Sequence, residues 1–174
     1  MVTEKQRELI DYLLSQINSN EKSFCEPIIN NLLDLGYIPE KQIKKKLFVV
    51  KFTKNGRLIV RFEIPKQKDG ITPLLFWLRF SACKNYSKIF QDAAGQRCGA
   101  WIKQNRHWEN HNTKNCCGNC KGEPRFYRFY DDNGNEVRRC GGQTTPVVGV
   151  TVDDVSETLK LINEQDEYFS KVLL

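Results

Sequence analysis

The amino-acid sequence predicts an α+β fold in which an antiparallel sheet packs with N-terminal and C-terminal helices, accompanied by a small cysteine-rich segment. Two observations favour helices at both ends: apolar residues recur there at intervals of three and four, and residues typical of helix caps precede them. A third observation favours a sheet between them, because turn pairs such as Asn-Gly separate short apolar runs. The length of 174 residues predicts one domain over residues 1–174.

The two N-terminal helices are predicted from their ends. Thr3 and Gln6 have the spacing of a capping box, and apolar residues follow them at helical intervals. A second helix is predicted from about Ser23 to a stop at Gly36, with Pro27 tolerated in its first turn.

A β-hairpin is predicted around Asn55-Gly56, because this pair tolerates the positive φ angles of a type I′ turn. Its strands are expected over residues 47–53 and 58–64. A two-residue loop fixes the register between the strands. The register pairs Lys54 with Arg57, Phe52 with Ile59 and Val50 with Arg61.

The predicted register separates two faces of this hairpin. The face expected on the core carries Leu47, Val49, Leu58, Val60, Phe62 and Ile64. The other face carries Phe48, Val50, Phe52, Ile59, Lys54, Arg57 and Arg61. Aromatic and basic side chains on one sheet face suit stacking on bases and pairing with phosphates. The predicted site for an anionic partner is therefore Phe48, Phe52, Lys54, Arg57 and Arg61. The alternative is that a helix covers the apolar half while the charges reach solvent.

The elements after this hairpin are predicted from shorter patterns. Residues 72–80 are nearly continuous in apolar side chains, which favours a buried central strand. A short helix is predicted over residues 87–94, ending at Gly95. The last helix is predicted to begin at a cap formed by Thr151 and Asp154.

A second hairpin is predicted between residues 125–130 and 135–139, because Asn133-Gly134 is again a turn pair. With a two-residue loop, this hairpin sets Cys140 opposite Tyr127. It also returns the chain towards Cys120.

Charge is unevenly distributed along a chain whose formal net charge is +6. Residues 41–62 contain eight basic residues and no acidic one, whereas acidic residues outnumber basic ones in the last predicted helix. This polarity predicts either an anionic partner at the basic segment or an internal pairing of the two charged segments.

The cysteines favour a metal site. Seven cysteines, an odd number, in a chain without a recognisable export signal favour thiols and metal over a disulfide framework. Cys117 and Cys120 have C-x2-C spacing, which lets two thiolates of one turn reach the same Zn²⁺. This segment locally resembles a zinc knuckle, which implies a structural zinc and no particular function. Cys25, which lies among apolar residues, is predicted to be a small core residue.

A closed zinc site needs four ligands, and they define a predicted metal-bound sub-lobe over residues 98–142. The predicted ligands are Cys98, Cys117, Cys120 and Cys140. The rival ligands are Cys116, His107 and His111, because two histidines four positions apart share a helical face.

The functional hypotheses follow from these patterns. No motif of the common hydrolase, nucleotide-binding or metalloprotease classes is present, and no apolar run approaches the roughly 20 residues of a membrane span. We therefore expect a cytoplasmic, non-enzymatic, zinc-containing binding or regulatory protein whose basic aromatic face contacts an anionic partner, nucleic acid first. One alternative is a small-molecule-binding domain or an enzyme with a pocket near Trp77, Arg79, Trp101 and Trp108. Another is a thiol or zinc redox sensor at the vicinal cysteines.

Overall fold

The computed structural model describes residues 2–44, 47–65, 74–102, 126–130 and 133–171, without the side chains of 43–44, 96–102 and 138–140. Its helices are α1 (Glu4–Ser15), α2 (Ser19–Asp34), α3 (Lys88–Ile102) and α4 (Val155–Lys171). Its strands are β1 (Ile38–Lys44), β2 (Leu47–Lys54), β3 (Arg57–Pro65), β4 (Leu75–Leu78), β5 (Phe126–Tyr130), β6 (Glu136–Cys140) and β7 (Thr145–Val147).

Two antiparallel sheets form the β part of the fold within the described ranges. The larger sheet has five strands in the order β1-β2-β3-β4-β7, and β5 pairs with β6 in a separate two-stranded sheet. Every strand pair described is antiparallel. The predicted α+β class and the inward position of the strand within residues 72–80 are confirmed, since β4 lies between β3 and β7.

The two N-terminal helices begin at capping boxes. Thr3 caps α1 together with Gln6, as predicted. The predicted start of α2 is wrong, because the side chain of Asn18 accepts a hydrogen bond of 2.9 Å from the Glu21 amide and caps the helix earlier. Pro27 consequently lies inside α2 and not in its first turn. Gly36 follows the helix at a φ of +83°, which confirms the predicted stop.

The β2–β3 hairpin differs from its predicted register. Lys54 pairs with Arg57 as expected. A bulge between Phe52 and Thr53 then shifts every pair farther from the turn by one residue. Phe52 therefore pairs with Val60, and Lys51 takes the place opposite Arg61. The predicted pairs of Phe52 with Ile59 and of Val50 with Arg61 are wrong.

The bulge places the aromatic residues of β2 on the core face. Because side chains alternate along a strand, Phe48 and Phe52 share a face with Phe62. Helices cover this face: Tyr12 of α1 meets the Phe48 ring edge-on, and Phe24 of α2 meets Phe76. Large side chains in the core between these helices and the sheet are fully buried, among them Phe24, Phe52, Phe62, Phe76, Leu13, Ile28, Ile29 and Leu32. The predicted alternative, in which helices cover the apolar half, is the one observed.

Helix α3 continues past its predicted end at Gly95. A Cβ placed on Gly95 would lie 3.2 Å from Cδ2 of Phe129, so the missing side chain lets β5 approach α3 closely. Because α3 extends to Ile102, it includes Cys98 and Trp101. A glycine inside a helix costs about 1 kcal/mol relative to alanine.

The second hairpin also has a shifted register. Tyr130 pairs with Glu136, so five residues separate the strands and Cys140 lies opposite Phe126. The predicted pairing of Cys140 with Tyr127 is wrong, because a longer loop changes the residue opposite each position.

The last helix begins as predicted. The amide of Thr151 donates a hydrogen bond of 2.8 Å to the Asp154 carboxylate, and one 3₁₀ turn leads into α4. Within the described ranges, no helix has the length and apolar character needed to cross a membrane.

Candidate functional site

The five residues predicted to contact an anionic partner occupy three different places. Phe48 and Phe52 are 6 % and 0 % exposed, so neither ring is available for stacking, and this part of the prediction is wrong. Lys54 and Arg57 lie at the outer end of the β2–β3 hairpin, where they face α4. Arg61 lies on the sheet face opposite the helices, beside Trp77.

Lys54 forms an ion pair with α4. Its Nζ lies 2.9 Å from Oδ1 and 3.1 Å from Oδ2 of Asp166, a residue that is 7 % exposed. Its ammonium group also lies 5.4 Å from the centre of the Tyr37 ring. A basic residue of the hairpin therefore pairs with an acidic residue of the last helix. This is the internal pairing that was one of the two interpretations of the charge distribution.

Tyr37 donates a second hydrogen bond to the same carboxylate. Its hydroxyl lies 2.9 Å from Oδ1 of Asp166, and its side chain is 2 % exposed. Burial raises the pKa of Tyr37 above its ordinary value, and the neighbouring charge of Asp166 raises it further. The hydroxyl consequently stays protonated and keeps donating to Asp166 across the neutral pH range.

Arg57 and Arg79 both contact the ring of Phe169. Their guanidinium carbons lie 5.0 Å and 4.9 Å from the ring centre, within the range of cation–π attraction. Arg57 also donates a hydrogen bond of 3.4 Å to the Phe169 carbonyl, and Arg79 donates one of 2.9 Å to the Gly141 carbonyl. One aromatic ring of α4 thus holds two cations in place.

These groups border a small depression that is open to solvent. It is lined by Tyr37, Lys54, Asn55, Arg57, Asp166, Phe169 and Ser170. Its cavity volume is about 10 Å³, about the space that one water molecule needs. Within the described ranges, Arg57 has no carboxylate within salt-bridge distance. We call this depression, with the adjacent Arg79, the hairpin-end site.

Arg61 is engaged elsewhere. Its guanidinium carbon lies 4.2 Å from the centre of the Trp77 ring, and its Nε lies 3.0 Å from Oε1 of Glu63. The neighbouring Lys51 pairs at 2.8 Å with Glu40, and its hydrogen bond lowers the pKa of that carboxyl group. Positive charge on this sheet face is therefore matched by carboxylates.

The predicted aromatic pocket is not brought together by the residues that the structure describes. Trp77 contacts Arg61, whereas Arg79 contacts Phe169 of α4. Trp101 lies in α3, where only its backbone is described, and Trp108 lies outside the described residues.

None of the four predicted zinc ligands has a described side chain, and two of them lie outside the described residues. Cys98 is a helical residue of α3, and Cys140 is the last residue of β6. The remaining ligands and rivals, Cys116, Cys117, Cys120, His107 and His111, lie in the undescribed segment 103–125. Among described side chains, no three histidine, cysteine or acidic groups come together as a metal site.

The two cysteines whose side chains are described pack in the core. Cys25 is fully buried, as predicted, and Cys83 is 2 % exposed. Burial raises the pKa of both thiols, and nearby carboxylates add to the effect. Neither thiol is an accessible nucleophile.

Sequence reasoning missed Tyr37, Asp166 and Phe169 as parts of the site. Asp166 and Phe169 lie three positions apart on α4, which is helical spacing. The available signal was the opposite charge of the hairpin and the last helix, which predicted a pairing but not its members.

The comparisons with known proteins gave no relative: no protein-family model, no curated protein and no solved structure matches this chain.

Proposed function

We propose that the protein is a non-enzymatic binding or regulatory protein that holds an anionic partner, nucleic acid in the first place, at the hairpin-end site. The supporting observation is that Arg57 borders the open depression and has no carboxylate within salt-bridge distance in the described ranges, while Lys54 pairs with Asp166. Two cations, Lys54 and Arg57, and one carboxylate, Asp166, line the depression. An excess of fixed positive charge beside an open depression attracts anions.

The arrangement also limits how the partner is bound. The Phe169 ring is 4 % exposed, so it orients the guanidinium groups but offers no surface for base stacking. We therefore propose recognition through phosphate groups, which makes the affinity depend on salt and only weakly on base sequence.

We propose separately that the chain carries a structural Zn²⁺ on Cys98, Cys117, Cys120 and Cys140. The C-x2-C spacing of Cys117 and Cys120 supports this proposal. Its role would be to hold the cysteine-rich segment together, with no part in binding the anion.

Fluorescence anisotropy with a labelled single-stranded oligonucleotide tests the binding proposal over a series of salt concentrations. Wild type should bind with an affinity that falls as salt rises. Arg57→Gln should weaken binding and lower the salt slope by about 0.7, the value for one phosphate contact on a single strand.

Arg7→Gln is the matched control, because Arg7 is an exposed arginine of α1 outside the hairpin-end site and its loss changes the net charge equally. Equal weakening by Arg7→Gln and Arg57→Gln would mean that only net charge matters. No binding by wild type at low salt would also overturn the proposal.

A further inference from the structure

We propose that the outer face of the second hairpin, β5–β6, is a further contact for the same partner, on which a base of a single-stranded nucleic acid stacks against Tyr130. This inference rests on the proposed function, because it extends the path of a strand whose phosphates are held at the hairpin-end site. Three observations carry it: which side chains face outward, what charge accompanies them, and where the second hairpin begins.

Alternation along β5 separates a buried face from an outer one. Tyr127 is fully buried, and the Phe129 ring lies 3.2 Å from the position of a Cβ on Gly95 of α3. These two rings therefore face the helix and the core. Successive side chains of a strand point to opposite faces. The outer face of β5 carries Phe126, Arg128 and Tyr130.

Tyr130 is the side chain on this face that can stack on a base. Its exposed fraction is 58 %, the largest of any aromatic side chain that the structure describes. Stacking on such a ring tolerates any sequence, because every base has a π-face. The hairpin-end site has no ring for this purpose, since Phe169 is 4 % exposed. The second hairpin thus supplies the contact that the hairpin-end site lacks.

Positive charge lies beside the ring. The backbone register places Arg138 directly opposite Arg128, and Glu136 opposite Tyr130. Nη1 of Arg128 lies 3.9 Å from Oε2 of Glu136, at the outer limit of an ion pair, and surface pairs of this kind contribute little. Like charges at opposed positions of a sheet repel each other, and a bound phosphate relieves that repulsion. A strand whose base stacks on Tyr130 therefore meets basic residues along its backbone.

The second hairpin begins beside the hairpin-end site. Gly141, which follows β6, accepts a hydrogen bond of 2.9 Å from Nε of Arg79, and Arg79 also contacts the Phe169 ring. Phe126 at the start of β5 pairs with the last residue of β6, so it lies near this junction. Tyr130 is four residues farther along β5, about 13 Å away at the rise of a strand. A strand that leaves the hairpin-end site can follow β5 to Tyr130.

The test measures fluorescence anisotropy with a labelled trinucleotide and with a labelled single strand of about twelve nucleotides. At roughly 3.4 Å per stacked nucleotide, only the longer strand reaches from the hairpin-end site to Tyr130. Tyr130→Ala should weaken binding of the longer strand about tenfold, because one base loses its stacking partner, and should leave the trinucleotide unchanged. Tyr130→Phe should retain the affinity of wild type, since phenylalanine keeps the ring.

Two controls separate stacking from other effects. Tyr12→Ala is the matched variant, because Tyr12 is a tyrosine of α1 that is 51 % exposed, and it should change neither affinity. A strand of the longer length that lacks bases carries the same phosphates, and Tyr130→Ala should not weaken its binding. Unchanged binding of the trinucleotide also shows that Tyr130→Ala keeps the fold.

The outcomes distinguish this inference from the proposed function. If Arg57→Gln weakens binding of both strands and Tyr130→Ala weakens neither, the inference is wrong and the proposed function stands. If wild type binds neither strand, both are wrong. If sedimentation shows a dimer that Tyr130→Ala dissociates without changing the strand affinities, Tyr130 packs against a second copy of the chain and the inference is wrong.

Discussion

The hydroxyl group of Tyr37 lies 2.9 Å from Oδ1 of Asp166 and joins the entrance of β1 to the last helix, 129 positions later in the chain. The same oxygen accepts a hydrogen bond of 2.9 Å from the ammonium group of Lys54. This carboxylate therefore connects the first strand, the central hairpin and α4. The hairpin-end site is built where these three elements meet.

Replacing Tyr37 by Phe should destabilise the fold by about 1–2 kcal/mol, because Asp166 loses one of two donors in a buried position. Urea unfolding followed by circular dichroism measures the change. Tyr12→Phe is the matched control, since Tyr12 is 51 % exposed and packs on Phe48 through its ring, which phenylalanine retains. Equal stability of Tyr37→Phe and wild type would show that the hydrogen bond contributes nothing.

Phe52→Ala should cost about 3–5 kcal/mol of unfolding free energy, because it removes a fully buried ring from the core face of the sheet. Tyr130→Ala removes a ring that is 58 % exposed on β5 and should cost far less. The same urea experiment compares the two variants. A small loss for Phe52→Ala would mean that this face of β2 is open and that the original prediction of an aromatic binding face was right.

Stability should fall with rising pH above about 8.5, the ordinary pKa of a thiol in an unfolded chain. Burial raises the pKa of Cys25, so the folded chain keeps this proton while the unfolded chain loses it. Each such thiol contributes a slope of at most about 1.4 kcal/mol per pH unit. Unfolding free energies between pH 7.5 and 9.5 measure it.

Cys25→Ala and Cys83→Ala should each reduce this alkaline slope, because burial raises the pKa of both thiols. Tyr37, whose ordinary pKa of about 10 lies above this range, contributes equally to wild type and to both variants, so its part cancels in the comparison. An identical slope in wild type and both variants would contradict the burial of these thiols.

One zinc ion per chain is expected in metal analysis of the purified protein. Serine variants of Cys117 and Cys120 should lose it, because each removes a thiolate ligand. The same loss is expected for Cys98→Ser and Cys140→Ser. His111→Ala is the control and should retain the metal. Loss of zinc in His111→Ala with retention in Cys98→Ser would favour the rival ligand set instead.

Much of the helical part of the fold could be predicted because its signals are local. The capping residues Thr3 and Asp154 and the stop at Gly36 each act within one helical turn. The start of α2 differs from the prediction although Asn18 and Glu21 carry a capping signal, because the apolar repeat that predicts the helix begins at a later residue. Gly95 does not end α3, because this glycine serves a close tertiary contact with Phe129 that no local pattern signals.

The assignment of side chains to the two sheet faces could not be predicted, because it depends on the one extra residue of a β-bulge. The bulge beside Phe52 changes the partner of each residue beyond it and brings Phe48 and Phe62 to the same face. No pattern in the two strands signals this insertion. The predictions of the Asn55-Gly56 turn and of the Lys54–Arg57 pair are confirmed, because both lie between the turn and the bulge.

The candidate site was half predictable for a related reason. Lys54 and Arg57 stood out by charge and position, but Asp166 and Phe169 belong to a helix more than 100 residues later. Only the folded chain brings these four residues together.

An NMR titration of isotope-labelled protein with a short single-stranded oligonucleotide tests the hairpin-end site most directly. The account predicts saturable shifts of the Arg57 guanidinium and Asn55 amide signals, with no comparable change in Tyr130 on the second hairpin. Saturable shifts elsewhere in the protein, with Arg57 and Asn55 unchanged, would contradict it.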